Sequence, residues 1–383
     1  MRNWAALTFL MMLAGCASAP VEQRAVSPFH DQLFAAPSER ISADDVFALS
    51  DQMKRYLSTD ITPELRAKGT QQGLYDTLYG HGQLKLDYDS ATTRNASQAF
   101  AARSGNCLSL VILTAAIAKE LGLTVRYQVV YVDEAWSRSD DIQFFDEHVN
   151  ITLGIKQAVG RIGHIDGNEM TVDFLPPANL GRLRTRVIGE ETIVARYMNN
   201  RAAESITEQQ VDRAYWWARA AISQDPRYLP AYNTLGVIYK LHGNLKEAEQ
   251  VFTQILGTEP ENTIAMSNLV LVLNALGRTT EANSFAEMLK KIRPYPPFHY
   301  FDLGMEAMKQ RDFDAAKTMF AKEVQRNAYY DQAHFWLALA YYNLGDLKNA
   351  RKQMDIAVET STTSSGHDLY AAKLAWLRSA HHP

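Results

Sequence analysis

The chain has 383 residues, with 39 Lys and Arg against 43 Asp and Glu and a formal charge of −4 at pH 7. Only 21% of residues are charged and the basic ones are dispersed, so the footprint of a nucleic-acid-binding protein is absent, while 46% hydrophobic residues exclude an intrinsically disordered chain. The length suits two domains, each able to bury its own core.

The N-terminus stands apart. One Arg, an apolar run from Trp4 to Ala14 and small residues around a cysteine have the composition of an export signal, and the run is too short to cross a bilayer comfortably. Its end, Leu13-Ala14-Gly15-Cys16, resembles a bacterial lipobox. That resemblance implies a signal over 1–15, lipidation of Cys16 and a tether over 16–33. Because Ala17 follows where a retention signal has Asp, it also implies the periplasmic face of the outer membrane; a plain secretory signal is the other reading. With Cys16 consumed by lipid, Cys107 has no partner and is either an inert core side chain or a thiol kept for chemistry.

In chain order, the first predicted element is a helix over 42–57, with Val46, Leu49, Met53 and Leu57 on one stripe and Ser42 as its N-cap; Pro63 bounds or restarts it. A short capped helix is expected over 92–100. The segment Leu108 to Leu121, apolar all round and stopped by Gly122, predicts a buried helix with Asn106 as N-cap and Cys107 in its first turn. Beyond it the period changes to two, predicting antiparallel strands over 125–132, 148–153 and 169–174, the last after an Asp166-Gly167-Asn168 turn. Helix followed by sheet gives an α+β domain over 34–194.

The remainder, 195–383, repeats every 34 residues. Ala214, Ala248, Ala282, Ala316 and Ala350 fall in register, as do Leu235, Leu269, Leu303 and Leu337; Gly236 and Gly304 follow the repeated Leu, and Phe252 and Phe320 follow the repeated Ala by four. This spacing resembles the tetratricopeptide pattern, with four clear repeats over 229–363, a weaker one over 195–228 and a closing helix around Leu369 to Leu377, and it predicts an all-α solenoid whose groove holds a protein partner.

Three further segments carry a second resemblance: Gly105-Asn106-Cys107-Leu108, His148-Val149-Asn150 and Val172-Asp173-Phe174. Over 90–175 the chain is similar to the transglutaminase-like superfamily of papain-related cysteine enzymes, in which a cysteine opens a buried helix, a histidine begins a neighbouring strand and an aspartate lies on the next. The likeness implies a catalytic Cys107, His148 and Asp173. The physics fits: a thiol at a helix N-terminus is favoured as thiolate, His148 could move its proton, Asp173 could orient the imidazole, and the Cys107 amide could hold an oxyanion. Asn106 and Asn150 are candidate cleft residues, and Asp166 and Glu147 are substitutes if the register slips. Val-Asn follows His148 where many relatives have Ala-Trp, and no aromatic residue follows Cys107, which favours hydrolysis over crosslinking.

No histidine spacing or thiolate set suggests a metal, and no glycine-rich loop a phosphate, so no cofactor is expected. The leading expectation is a thiol-dependent peptidase or amidase working through an acyl-enzyme, a cysteine-protease-like hydrolase whose repeats recruit a peptide or protein substrate. The alternative is a scaffold lipoprotein without turnover that holds envelope proteins through its repeats. A third reading is amine transfer or crosslinking.

Overall fold

The computed structural model describes residues 27–80, 86–131, 136–139, 142–145, 148–155, 169–174 and 184–379. Cys16, most of the expected tether, the substitutes Glu147 and Asp166 and the 166–168 turn lie outside the described residues.

Three short helices open the folded part, α1 (Asp51–Thr59), α2 (Thr62–Lys68) and α3 (Thr70–Tyr79). The helix expected from Ser42 starts later, because Ser50 supplies the cap: its hydroxyl accepts from the Met53 amide at 3.2 Å, whereas the Ser42 hydroxyl is taken by the Asp44 amide in a local turn. Val46, Met53 and Leu57 are buried as the stripe requires.

A short parallel pair, β1 (Asp87–Tyr88) and β2 (Ser104–Gly105), flanks α4 (Ala96–Ala102). A full capping box starts α4, with the Asn95 side chain accepting from the Gln98 amide and Gln98 answering the Asn95 amide. Next comes α5 (Cys107–Glu120), in which Leu108 to Ala118 are all buried; a helix apolar on every side belongs at the centre of a domain.

It packs on a four-stranded antiparallel sheet made of β3 (Leu123–Tyr131), β6 (His148–Ile155), β7 (Glu169–Val172) and β8 (Arg184–Ile188), in the order β7-β6-β3-β8. Between β3 and β6 stands a hairpin of β4 (Trp136–Ser139) and β5 (Ile142–Phe145). Sequence reasoning missed β8, whose residues are exposed except Ile188, so it carries no alternation to read.

The rest of the chain is helical. Five antiparallel pairs follow one another: α6 (Glu190–Thr207) with α7 (Val211–Gln224), α8 (Leu229–Leu241) with α9 (Leu245–Thr258), α10 (Thr263–Ala275) with α11 (Thr279–Ile292), α12 (His299–Lys309) with α13 (Phe313–Arg326), and α14 (Asp331–Asn343) with α15 (Leu347–Thr360). The closing helix α16 (Ser364–Ser379) covers α15 with Tyr370, Leu374 and Leu377. All five in-register alanines are fully buried where the helices of a pair touch. The molecule is therefore a mixed α+β domain followed by an all-α helical solenoid.

One joint departs from the repeat. The second helix of each pair packs extensively against the first helix of the next pair, but α11 and α12 meet far less. The apolar core that begins in the α+β domain ends at α11, and a separate one starts at Phe298. Leu303 shows what this does: it is 44% exposed, while its counterparts Leu235, Leu269 and Leu337 are 0%, 2% and 2% exposed. The linker Pro294-Tyr295-Pro296-Pro297 leads into Phe298 at φ 62°, a left-handed conformation directly before α12. At the far end the chain returns to the first domain, where the Ser90 amide donates to the Thr362 carbonyl at 2.8 Å.

Candidate functional site

The residues singled out by sequence do meet. Asn106 sits in extended conformation before α5 and accepts from the Ser109 amide at 2.9 Å, which fixes the start of the helix and places Cys107 in its first turn, where amides have no partner within the helix. His148 opens β6 opposite Val130, and Asp173 follows directly on the last residue of β7, which pairs through Val172 with Ile151. The His148 Nε2 lies 2.7 Å from Asp173 Oδ1, and Cys107 is close enough to act electrostatically on the imidazole. His148 and Asp173 side chains are 6% and 9% exposed; Cys107 is half-buried.

Asn150, two residues along β6, shares the face of His148 as its strand position requires, and its amide donates to the other Asp173 oxygen, Oδ2, at 2.8 Å. Its carbonyl oxygen is buried without a hydrogen-bond partner. Asn106 fastens the start of α5: its carbonyl oxygen also accepts from the Ser109 hydroxyl and its amide donates to the Thr93 hydroxyl, both at 2.8 Å.

Burial alone opposes a charged imidazole, but the hydrogen bond to the Asp173 carboxylate and the nearby Cys107 sulfur outweigh it and raise His148 to about 9. At neutral pH the group is thus an imidazolium clamped to a carboxylate that also holds Asn150. Such a cluster binds the N-terminus of α5 to two strands, each partner removing the cost of burying the next.

Two residues that sequence reasoning missed tie this cluster to the solenoid. The Thr93 hydroxyl also accepts from Asn200 on α6 at 3.2 Å, and its amide donates to Glu204 on the same helix at 2.6 Å. Burial of Glu204 raises its pKa despite those bonds and Arg201. A single-sequence signal for Glu204 is lacking, because a glutamate within a helix of mixed polarity reads as solvated.

The solenoid contributes a second candidate surface at the α11–α12 joint. Met288, Ile292, Tyr295 and Leu303 are all between 41% and 52% exposed. Glu323 fixes the position of α12 from below, accepting from the Tyr300 and Phe301 amides at 3.2 and 3.1 Å, so a buried carboxylate caps a helix that has no side-chain cap of its own.

These repeats are tetratricopeptide repeats: family models of that description match residues 229–262 and 301–365. Among curated proteins the chain is similar to the probable UDP-N-acetylglucosamine–peptide N-acetylglucosaminyltransferase SPINDLY of Hordeum vulgare, with 27% identity over 128 residues. That match covers 31% of this chain and 13% of the barley protein, so the two share a small part of the relative's length. Among solved structures it is similar to TTC0263, a tetratricopeptide protein of Thermus thermophilus, at 16% identity and a TM-score of 0.29 over 47% of this chain and 99% of that one. YrrB, described as a tetratricopeptide protein with an unusual peptide-binding site, matches at 22% identity and a TM-score of 0.25 over 47% of this chain and 92% of that one.

These findings correct the leading functional expectation. Both matching family models are repeats, and both lie in the solenoid, outside the domain that holds Cys107, His148 and Asp173. They support the scaffold alternative, and the expectation of a thiol-dependent peptidase, amidase or acyltransferase, with its cysteine-protease and hydrolase vocabulary, is withdrawn. Among the described residues no group of three or more His, Cys, Asp and Glu is arranged to hold a metal ion.

Proposed function

We propose that the protein is a non-catalytic scaffold that holds a protein partner through its tetratricopeptide repeats. On this reading the α+β domain keeps a transglutaminase-like layout and uses Cys107, His148 and Asp173 to fasten α5 to the sheet. The Leu13-Ala14-Gly15-Cys16 sequence supports the rest of the proposal, a lipid on Cys16 and a place on the periplasmic face of the outer membrane.

The observation that carries the reading is the α11–α12 joint. A leucine that the repeat buries three times out of four stands in water at Leu303, and Met288 and Ile292 of α11 are exposed as well. Exposed apolar residues on α11 and α12, with Glu287, Lys290 and Lys291 also on α11, suit the apolar face of an amphipathic partner helix. Photo-crosslinking residues placed at Leu303 and at Met288 in cells test it. Discrete adducts at both positions, absent from Lys348 on α15 and lost when Ile292→Asp is added, support the scaffold; no adduct at either position overturns it.

A further inference from the structure

The segment before α1 is docked on the solenoid rather than standing clear of it. Residues 28–39 cross α7 and α8, and the contacts are those of a bound peptide. Main-chain groups are read by helix side chains: the Tyr239 hydroxyl donates to the Pro28 carbonyl at 2.7 Å, the His30 amide donates to the Tyr215 and Tyr239 hydroxyls at 3.0 and 3.1 Å, the Ala35 amide donates to Asp212 at 3.0 Å, and the Trp216 indole donates to the Ala35 carbonyl at 2.6 Å.

Side chains supply selectivity. Phe34 lies flat on Tyr215, with centroids 3.9 Å apart and planes 9° from parallel, and is 8% exposed. Arg219 pairs with Asp31 at 2.8 Å and carries the Phe29 ring over its guanidinium at 5.1 Å. The face therefore reads an aromatic side chain, a carboxylate two residues on and a second aromatic three further, as in Phe29-His30-Asp31-Gln32-Leu33-Phe34.

We propose that this face of α7 and α8 is a peptide-binding site held by the chain's own residues 28–36 and exchanged for a partner's segment of the same chemistry, two aromatic side chains flanking a carboxylate. The inference rests on the scaffold reading and names a second, guarded site for it. Two features of the resident segment argue for exchange. Its anchoring ion pair is partly in solvent, with Arg219 and Asp31 side chains 37% and 43% exposed. Its grip is spread over separate hydrogen bonds that an incoming peptide can take one at a time. Holding the site in cis sets a threshold, because a tethered segment competes at an effective concentration on the order of millimolar.

The test uses a fluorescent synthetic peptide of residues 27–37 and the full-length chain, with anisotropy as the readout. Asp31→Ala combined with Phe34→Ala loosens the resident segment without changing any residue of α7 or α8. The loosened chain is expected to bind the peptide at least roughly tenfold more tightly than the unaltered chain. Adding Arg219→Ala abolishes that binding, and a peptide with Lys in place of Asp31 does not bind. Absence of binding to the loosened chain, or equal binding to both chains, overturns the proposal. So does concentration-dependent dimerisation of the loosened chain in place of peptide binding, which makes a second copy the occupant. Hydrogen exchange on the unaltered chain is a second measurement that needs no variant: the His30 and Ala35 amides must exchange much faster than those of Leu235 and Ile238 in α8, and equal protection overturns exchangeability. Cross-linking at Leu303 is unaffected by any of these changes, so this proposal and the scaffold reading fail separately.

Discussion

The ring of Phe252 fills the space that a side chain on Gly236 would need: a Cβ at residue 236 would stand 2.6 Å from it, and the same pairing recurs between Gly304 and Phe320 at 2.5 Å. The repeated glycine and the repeated phenylalanine are thus two halves of one contact between the helices of a pair. Gly236→Ala must push a fully buried ring aside, and the expected cost is about 1–3 kcal/mol in spite of the better helix propensity of alanine. Adding Phe252→Leu to it makes room, so the double variant is more stable than the sum of the single changes predicts; denaturant melts of the four proteins check this.

The His148 cluster sets a pH dependence. The folded-state pKa of His148, about 9, lies above the ordinary value of 6.5, so protonation favours the folded state. The contribution is complete below about pH 6.5 and is lost as pH rises through the folded value near 9. Melting temperature is expected to fall by about 5 °C across that window, and His148→Gln or Asp173→Asn flattens the slope. A profile that keeps its slope in both variants shows that other groups govern it.

Asn106→Ala removes an N-cap and three hydrogen bonds at once. A loss of about 2 kcal/mol or more is expected, above the roughly 1 kcal/mol of an ordinary cap, since the Thr93 hydroxyl that ties the α+β domain to α6 also loses a donor. Asn106→Asp retains the bond to the Ser109 amide but not the donation to Thr93, and should recover about half. Chemical melts with fluorescence from Trp216 and Trp217 on α7 report both.

How much of this was legible depends on how local the cause is. The helix α5 could be read from the sequence because its cap, apolar run and stopping glycine lie within one stretch from Asn106 to Gly122. The three strands that keep an alternating or apolar pattern were read, and β8, with one buried residue, was not. Ser42 and Ser50 both precede plausible helix starts, and only the competing turn at Asp44 decides between them. The meeting of Cys107, His148 and Asp173 was foreseen through a family resemblance, but the activity that the resemblance implied was not supported by the comparisons. The docked segment at Phe29 to Phe34 has no period, and its partners on α7 and α8 lie more than 180 residues away, so nothing nearby announces it.

Glu323 offers a case in which one carboxylate holds two elements together. It lies on α13, is 3% exposed, and accepts from two amides at the start of α12. Glu323→Ala leaves those amides buried without a partner and is expected to cost about 2–3 kcal/mol, with the loss confined to the pairs beyond the joint. Glu323→Gln retains an acceptor and should cost less than half as much. Hydrogen exchange locates the effect: Phe301 and Phe320 lose protection while Leu235 and Phe252 do not.

The contrast between Leu269 and Leu303 is the most direct check on the joint, because the two residues occupy the same place in successive repeats and differ only in what covers them. Leu269→Ala empties a packed site and is expected to cost about 2–5 kcal/mol. Leu303→Ala, with 44% of the side chain already in water, should cost under about 1 kcal/mol. Equal costs would mean that α12 closes onto α11 in solution and that Leu303 is as buried as its counterparts. Unequal costs leave an apolar face that the chain does not cover for itself, and then loss of partner cross-links in Leu303→Ala without loss of stability separates binding from folding at a single residue.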